Sequence, residues 1–139
     1  MEQSIIFAFA GVIIIGALLF ALICITKKGP KHLNVEQYRV KYLAIENQLK
    51  RDEPSSYHLS VLNADKLVDQ ALRERGVRGK TMGDRMKSSV ALFSDRNGIW
   101  TAHKLRNMIA HEPDAKVTYD QARYALASFR KALRDLGAI

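Results

Sequence analysis

The feature that most constrains this chain is an uncharged apolar segment near its N-terminus, residues 4–26. Ile, Leu, Phe, Val, Ala and Gly fill nearly every position, and no Asp, Glu, Lys or Arg interrupts them. As a helix that rises about 1.5 Å per residue, a segment of this length crosses a hydrocarbon core of roughly 30 Å. A helix also satisfies its own backbone hydrogen bonds, which an irregular segment in lipid cannot do. The sequence therefore predicts a transmembrane helix within residues 1–26.

A cleaved signal peptide is the competing interpretation of this segment. Signal peptides begin with a basic region, have a shorter apolar core and end in a cleavage site of small residues. Here residues 1–3 are acidic rather than basic, and the apolar run continues to Ile25. A basic flank follows it, as in a segment that stops in the membrane. These three differences favour an uncleaved anchor.

The charges on either side of the apolar segment predict its orientation. Lys27, Lys28 and Lys31 follow it directly, whereas Glu2 is the only ionisable side chain before it. Because positive flanks stay in the cytoplasm, we expect a single-pass protein of the cell membrane with its N-terminus outside and its C-terminal domain cytoplasmic. The predicted organisation is an anchor at residues 1–26, a basic linker at 27–33 with a Gly-Pro break, and a helical domain at 34–139.

The charged residues of the chain favour a polyanionic partner. All 22 Lys and Arg residues follow the apolar segment, against 13 of the 14 Asp and Glu, which leaves that part of the chain at +9. This charge suits nucleic acid or the anionic inner leaflet of the membrane, and solubility alone is the other explanation. The single cysteine, Cys24, excludes an intrachain disulfide and a Cys-based zinc site. We interpret Cys24 as an ordinary membrane residue, with palmitoylation as the alternative.

Residues 34–139 have the pattern of helices separated by clear stops. Helix starts are predicted at Asn34, at Ser55 or Ser56, at Thr81, near Ile99 and at Thr118. Helix ends are predicted at residues 51–54, Gly76, residues 95–98, Pro113 and Gly137. Apolar side chains recur at three- and four-residue spacing between these signals, and short connections favour antiparallel neighbours. We therefore predict an all-α fold, in which one N-terminal transmembrane helix is followed by a four- to five-helix up-down bundle.

The most informative stretch is residues 100–111, Trp-Thr-Ala-His-Lys-Leu-Arg-Asn-Met-Ile-Ala-His. At 100° per residue, Ala102, Leu105 and Ile109 share one helix face, which we expect to be buried. Polar residues spread across the other side of the helix: His103, Arg106, Asn107 and His111. This grouping indicates a candidate functional site, with a purely structural polar helix as the alternative.

The segment Arg106-Asn107-Met108-Ile109-Ala110-His111 resembles the signature of the HEPN domain family, which is an arginine, a polar residue, three variable residues and a histidine. HEPN domains are small helical bundles, and many of them are metal-independent ribonucleases. The resemblance covers the chain broadly from about Asn34 to Gly137, and it is sharp only between Ala102 and Pro113.

The resemblance implies a reaction in which a ribose 2′-hydroxyl attacks the adjacent phosphate and leaves a cyclic phosphate and a 5′-hydroxyl. It implies that His111 transfers protons, that Arg106 stabilises charge on the phosphoryl oxygens and that Asn107 orients the histidine or the phosphate. Imidazole titrates near neutral pH and guanidinium carries a rigid fork of donors, so both residue types suit these roles. Since one helix supplies one Arg and one His, the resemblance also implies a homodimer with two motifs at a shared cleft. We expect no metal or other cofactor.

Each of these residues also has a structural explanation. A histidine at a helix C-terminus, such as His111, is favoured by the helix dipole. Arg106 is also explained by an ion pair with a carboxylate such as Asp114, and Asn107 by a cap on a neighbouring turn. His103 lies outside the signature, so we interpret it as a structural residue or a support for the site. Trp100 is interpreted as a packing residue.

A cluster of basic residues around one connection between helices is a candidate RNA-binding surface: Arg78, Lys80, Arg85 and Lys87. Such side chains bind a phosphate backbone with release of its counterions, and a solvated or lipid-facing surface is the alternative. The predicted function is a membrane-anchored HEPN-like endoribonuclease or RNA-binding protein that acts as a homodimer, with a regulatory protein as a further partner. The first alternative is a non-catalytic helical module that binds a protein or a nucleotide at the cytoplasmic membrane face. The second is attachment of the basic surface to anionic lipids.

Overall fold

The computed structural model describes residues 2–26 and 32–139, which form six α-helices and one 3₁₀ turn and contain no β-strand. The helices are α1 (Glu2–Thr26), α2 (Val35–Gln48), α3 (Pro54–Glu74), α4 (Met82–Ser88), α5 (Arg96–His111) and α6 (Tyr119–Asp135), and the 3₁₀ turn is Val90–Leu92. The predicted all-α fold is confirmed. The chain divides into two compact units, Met1–Pro30 and Lys31–Ile139.

The first unit is the single helix α1. Its segment Ile5–Ile25 has 21 residues and is long and apolar enough to cross a membrane. Its large side chains are exposed along the whole segment, and Phe7 and Ile25 are 75% and 78% accessible. Exposed apolar surface of this extent is unusual in a soluble protein and is normal for a helix in lipid. Of the predicted linker, residues 27–31 lie outside the described residues, and His32 and Leu33 are not helical.

The second unit is a helical bundle with α3 at its centre. α3 packs against α2, α4, α5 and α6. Its predicted apolar face is fully buried, at Val61, Ala64, Val68, Ala71 and Leu72. Burying a side chain of the size of leucine stabilises a fold by about 1.5–3 kcal/mol, so this face accounts for the central position of α3.

The starts of α2, α4 and α6 follow the predicted capping signals. Asn34, Thr81 and Thr118 each accept a hydrogen bond from the backbone N–H three residues later. At Thr81 and Thr118 the reciprocal bond is also present, which completes a capping box. Gly76 and Gly137 follow α3 and α6 with φ of +78° and +69°, a conformation in which glycine lacks the Cβ penalty of other residues.

The predicted start of α3 at Ser55 or Ser56 is wrong. The helix begins at Pro54, whose fixed φ suits the first helical position. The Ser56 hydroxyl does not cap the helix, since it accepts a hydrogen bond from the Lys50 backbone N–H at 3.0 Å. Ser56 therefore stabilises the connection between α2 and α3 and does not cap the N-terminus of α3.

The predicted break at residues 95–98 is also wrong, because these residues start α5. Asp95 Oδ1 accepts a hydrogen bond from the Gly98 N–H at 2.8 Å and so caps the helix. The helix predicted to precede it is interrupted after Ser88, and Val90 and Leu92 are exposed in the 3₁₀ turn. The buried apolar face predicted for α5 is confirmed at Ala102, whereas Leu105 and Ile109 are only half-buried.

A candidate active-site cleft lined by α3, α4 and α5

An open cleft of about 820 Å³ is lined by α3, α5, α4 and Thr81, the residue that precedes α4. α5 contributes five side chains to its lining: Trp100, His103, Arg106, Asn107 and His111. α3 contributes Asp65, Lys66 and Asp69, among others. Thr81 also lines the cleft, and α4 contributes Gly83, Asp84 and Lys87, among others. The cleft therefore brings together all four polar residues that the sequence singled out on α5.

His103 lies at the base of this constellation and is buried, with 8% of its surface exposed. Its Nδ1 lies 2.8 Å from Oδ1 of Asp65, which is also buried. Trp100 packs against the imidazole edge to face, with ring centroids 6.2 Å apart. His103 is therefore held inside the bundle by α3, and the Asp65 carboxylate compensates the burial of its polar ring.

Arg106 is bound on two sides within the chain. Its Nε lies 3.2 Å from Asp65 Oδ2, which is ion-pair distance but lacks the alignment of a hydrogen bond. Its Nη1 donates a hydrogen bond to Asn107 Oδ1 at 3.0 Å. An ion pair with a carboxylate, the structural explanation considered for Arg106, is therefore present, but its partner is Asp65 on the neighbouring α3 and not Asp114. Asn107 likewise orients the guanidinium instead of capping a turn.

His111 is the last residue of α5, and its side chain is exposed at the edge of the cleft. No hydrogen bond or ion pair links its ring to another described residue. The C-terminal end of a helix dipole favours a cation at this position. Both ring nitrogens of His111 are thus available to a ligand, whereas Nδ1 of His103 is occupied by Asp65.

The charges around the cleft are balanced rather than uniformly basic. Lys66, Lys87 and Arg106 line it together with Asp65, Asp69 and Asp84. Hydrogen bonds from the Thr81 backbone and hydroxyl lower the pKa of Asp84 below its usual value, so this carboxylate stays ionised at neutral pH. The cleft therefore presents cations to a ligand among fixed negative charges.

The four residues predicted to bind RNA divide into two groups. Arg78 and Lys80 are exposed on the connection before α4, and Lys87 lines the cleft. Arg85 is buried instead: its Nη2 lies 2.7 Å from Asp69 Oδ1, and its Nη1 donates to the Gly79 carbonyl at 2.7 Å. The guanidinium of Arg85 therefore holds the connection against α3 and is not available to a phosphate backbone.

Asp65 is the residue of the cleft that sequence reasoning missed. A signal for it exists, because Asp65 shares a helix face with Val61, Val68 and Leu72, and a lone carboxylate on an apolar face needs a buried partner. The identity of that partner does not follow from spacing, since His103 lies 38 residues away in the sequence.

Among the described residues, no group of three or more His, Cys, Asp or Glu side chains is arranged to hold a metal ion. Comparison of the chain with protein-family models, curated proteins and solved structures finds no match.

Proposed function

We propose that the chain is a membrane-anchored, HEPN-like endoribonuclease that acts as a homodimer and needs no metal ion. The observation that carries this proposal is that Arg106, Asn107 and His111 all line one open cleft of about 820 Å³. An arginine, an amide and a histidine in one cleft are the groups that phosphate-ester cleavage uses for charge stabilisation, orientation and proton transfer.

In the proposed reaction, a ribose 2′-oxygen forms a bond to the adjacent phosphorus and the bond to the 5′-oxygen breaks. One imidazole takes the proton of the 2′-hydroxyl, and a second gives a proton to the leaving 5′-oxygen. Arg106 stabilises the negative charge that develops on the non-bridging oxygens. The products are a 2′,3′-cyclic phosphate and a 5′-hydroxyl, with no net consumption of water.

The homodimer supplies the second imidazole. Each chain provides one exposed cleft histidine, His111, whereas His103 is buried and its Nδ1 is occupied by Asp65. Two clefts brought together across a two-fold axis would provide both a base and an acid. Arg106 has donors left for the substrate, because a guanidinium has five N–H groups and those on Nη2 have no partner among the described residues.

In this proposal α1 anchors the enzyme in the cell membrane. The basic residues Lys27, Lys28 and Lys31 after the span favour a cytoplasmic location for the helical bundle. RNA is present on that side, and Arg78, Lys80 and Lys87 are the cations that would contact its backbone near the cleft.

The second candidate function is a non-catalytic module that binds a protein or a nucleotide at the membrane. One observation favours it: Arg106 is already engaged by Asp65 and Asn107 inside the chain. A purely structural arginine would be held in this way. His111 argues for the enzyme, because it has no such partner among the described residues and lies open in the cleft.

The test is cleavage of single-stranded RNA by the full-length chain in detergent, with EDTA present. His111→Ala is expected to lower the rate by about 10²–10⁴-fold, since it removes a general acid or base. Arg106→Ala is expected to lower it by about 10²–10³-fold through loss of charge stabilisation. Lys104→Ala is the matched control, because Lys104 is exposed on the same helix and does not line the cleft.

The ends of the products identify the mechanism. Cyclic-phosphate ends that disappear in both cleft variants and persist in Lys104→Ala would support the ribonuclease. A folded, dimeric wild-type protein that cleaves no RNA would contradict it. If the same protein then bound a protein or nucleotide through the cleft, the interaction module would be the correct function.

A further inference from the structure

A second concave surface lies between α2 and α6, and it shares no lining residue with the cleft. Two adjacent depressions, of about 520 and 260 Å³, make up this surface and share Arg130 and Arg134 in their linings. We call it the α2–α6 groove and define it by Arg39, Leu43, Arg123, Arg130, Lys131 and Arg134.

The α2–α6 groove is strongly basic. Five of its lining side chains are cations, and Glu46 is the one carboxylate among its described lining residues. The cleft, by contrast, has as many carboxylates as lysines and arginines. The groove is therefore the stronger site of attraction for an anionic surface, although it lies apart from the proposed catalytic residues.

The cations of the groove remain available to a partner. Three of them form ion pairs within the chain. Arg130 lies 3.3 Å from Glu46, and Arg39 lies 3.9 Å from Glu36. Lys131 lies 4.0 Å from Asp95. Exposed pairs of this kind contribute little and are easily exchanged. Arg134 is exposed and forms no ion pair with another described residue. The groove thus holds positive charge that the protein itself does not neutralise.

Aliphatic side chains lie beside these cations. Leu43 and Ile139 line the smaller depression, and Leu43 is 47% exposed. Aliphatic groups next to Arg and Lys are typical of surfaces that rest in the headgroup region of a membrane, where charge and hydrocarbon are both accessible.

The rings in the groove do not suit RNA. Tyr42 is buried, and its hydroxyl donates to the Leu126 carbonyl at 2.8 Å. The face of Tyr119 is covered by the Arg51 guanidinium at 4.5 Å. Proteins that bind single strands stack bases on exposed aromatic rings, and neither of these rings is free to do so.

We infer that the α2–α6 groove binds the anionic headgroups of phospholipids. The inference rests on the proposed membrane anchoring by α1 and is independent of RNA cleavage. Only eight residues separate Thr26 from Val35 in the sequence. A chain of this length extends over at most about 30 Å, so insertion of α1 would keep the bundle near headgroups whatever its orientation.

The test uses the full-length chain in lipid nanodiscs. A polarity-sensitive fluorophore is attached at Leu43→Cys, a position that lines the groove, in a Cys24→Ala background, which leaves a single thiol. We expect the probe to report an apolar environment in discs that contain phosphatidylglycerol, and an aqueous one in discs of phosphatidylcholine alone. The titration of anionic lipid gives the ratio of docked to free bundle.

Charge removal in the groove distinguishes docking from other effects of lipid. Each basic side chain near an anionic surface strengthens binding about five-fold, so Arg39→Gln with Arg134→Gln should lower the docked-to-free ratio about 25-fold. The matched control is Lys104→Gln with Lys116→Gln, which removes the same charge from exposed positions outside the groove. Circular dichroism checks that each variant keeps its helices.

Each outcome has a distinct meaning. Equal probe signals in anionic and neutral discs, or equal losses in both double variants, would overturn the inference. A probe that responds to single-stranded RNA and not to anionic lipid would assign the groove to nucleic acid instead. Failure of the chain to enter discs at all would overturn the membrane anchor and this inference with it. Loss of RNA cleavage alone would affect only the proposed enzyme.

Discussion

Oδ1 of Asp65 lies 2.8 Å from Nδ1 of His103, and both residues are buried. An imidazole N–H donates to a carboxylate oxygen, so this distance fits a hydrogen bond from Nδ1 of His103 to Asp65. The other oxygen of Asp65 lies 3.2 Å from Nε of Arg106. One carboxylate on α3 therefore lies between the buried His103 and Arg106 of α5.

This connection predicts that Asp65→Ala destabilises the bundle. Removing one partner of a buried, charged hydrogen bond leaves the other unpaired, and we expect the free energy of unfolding to fall by about 3 kcal/mol. Urea denaturation measures the change. Lys66→Ala, at the exposed neighbouring position, should change it by less than about 0.5 kcal/mol. A loss for Asp65→Ala as small as that of the control would show that the network does not stabilise the fold.

Substitution of the two cleft histidines should have different effects: His103→Ala should lower stability, and His111→Ala should lower activity. His103→Ala removes a buried partner of Asp65, so we expect the free energy of unfolding to fall by about 1–3 kcal/mol. His111→Ala removes an exposed side chain and should change it by less than about 0.5 kcal/mol, while RNA cleavage is lost. Thermal unfolding and cleavage are measured on the same samples. A His111→Ala protein as destabilised as His103→Ala would indicate that His111 is a structural cap.

The helix boundaries that sequence predicted correctly depend on local chemistry. Thr118 and Gln121 cap α6 through hydrogen bonds between residues three apart in the sequence. The start of α6 can therefore be predicted from these two residues alone. Asp95 and Gly98 show the limit of such signals. Asp and Gly are found both where one helix ends and where the next begins. Here they lie at the start of α5, whose residues Ile99 and Ala102 pack in the core.

The candidate site was predictable only in part for the same reason. The residues of α5 follow helical periodicity, so their common face could be derived from spacing. The partner of Arg106 could not be derived, since Asp65 lies on another helix and becomes its neighbour only when α3 and α5 pack. The burial of Arg85 has the same origin, because Asp69 on α3 is the residue that takes up its charge.

Asp84 at the start of α4 gives a prediction for pH dependence. Hydrogen bonds from Thr81 hold its pKa below the usual value in the folded chain. A carboxyl group of this kind stabilises the fold at pH values above its unfolded pKa, and that contribution is lost as the pH falls through the folded pKa. We therefore expect wild-type stability to fall below about pH 4, and to fall less steeply in Asp84→Asn.

Urea denaturation between neutral and acidic pH measures this difference. Other carboxylates also titrate in the range, so the informative quantity is the difference between the wild type and the variant at each pH. Asp114→Asn, at an exposed position outside any cap, is the control and should follow the wild type. Parallel curves for wild type and Asp84→Asn would show that the cap does not depend on the charge of Asp84.

The proposed homodimer predicts how activity changes when active and inactive chains are mixed. If each reaction uses His111 from both chains, a dimer with one His111→Ala chain is inactive. After exchange of equal amounts of wild-type and His111→Ala protein in detergent, about one quarter of the dimers contain two intact chains, so activity should fall to about one quarter of that of the same total amount of wild type. Chains that act alone would give one half, and this result would contradict a shared site. Mixing with Lys104→Ala should leave the activity unchanged, because that residue lies outside the cleft.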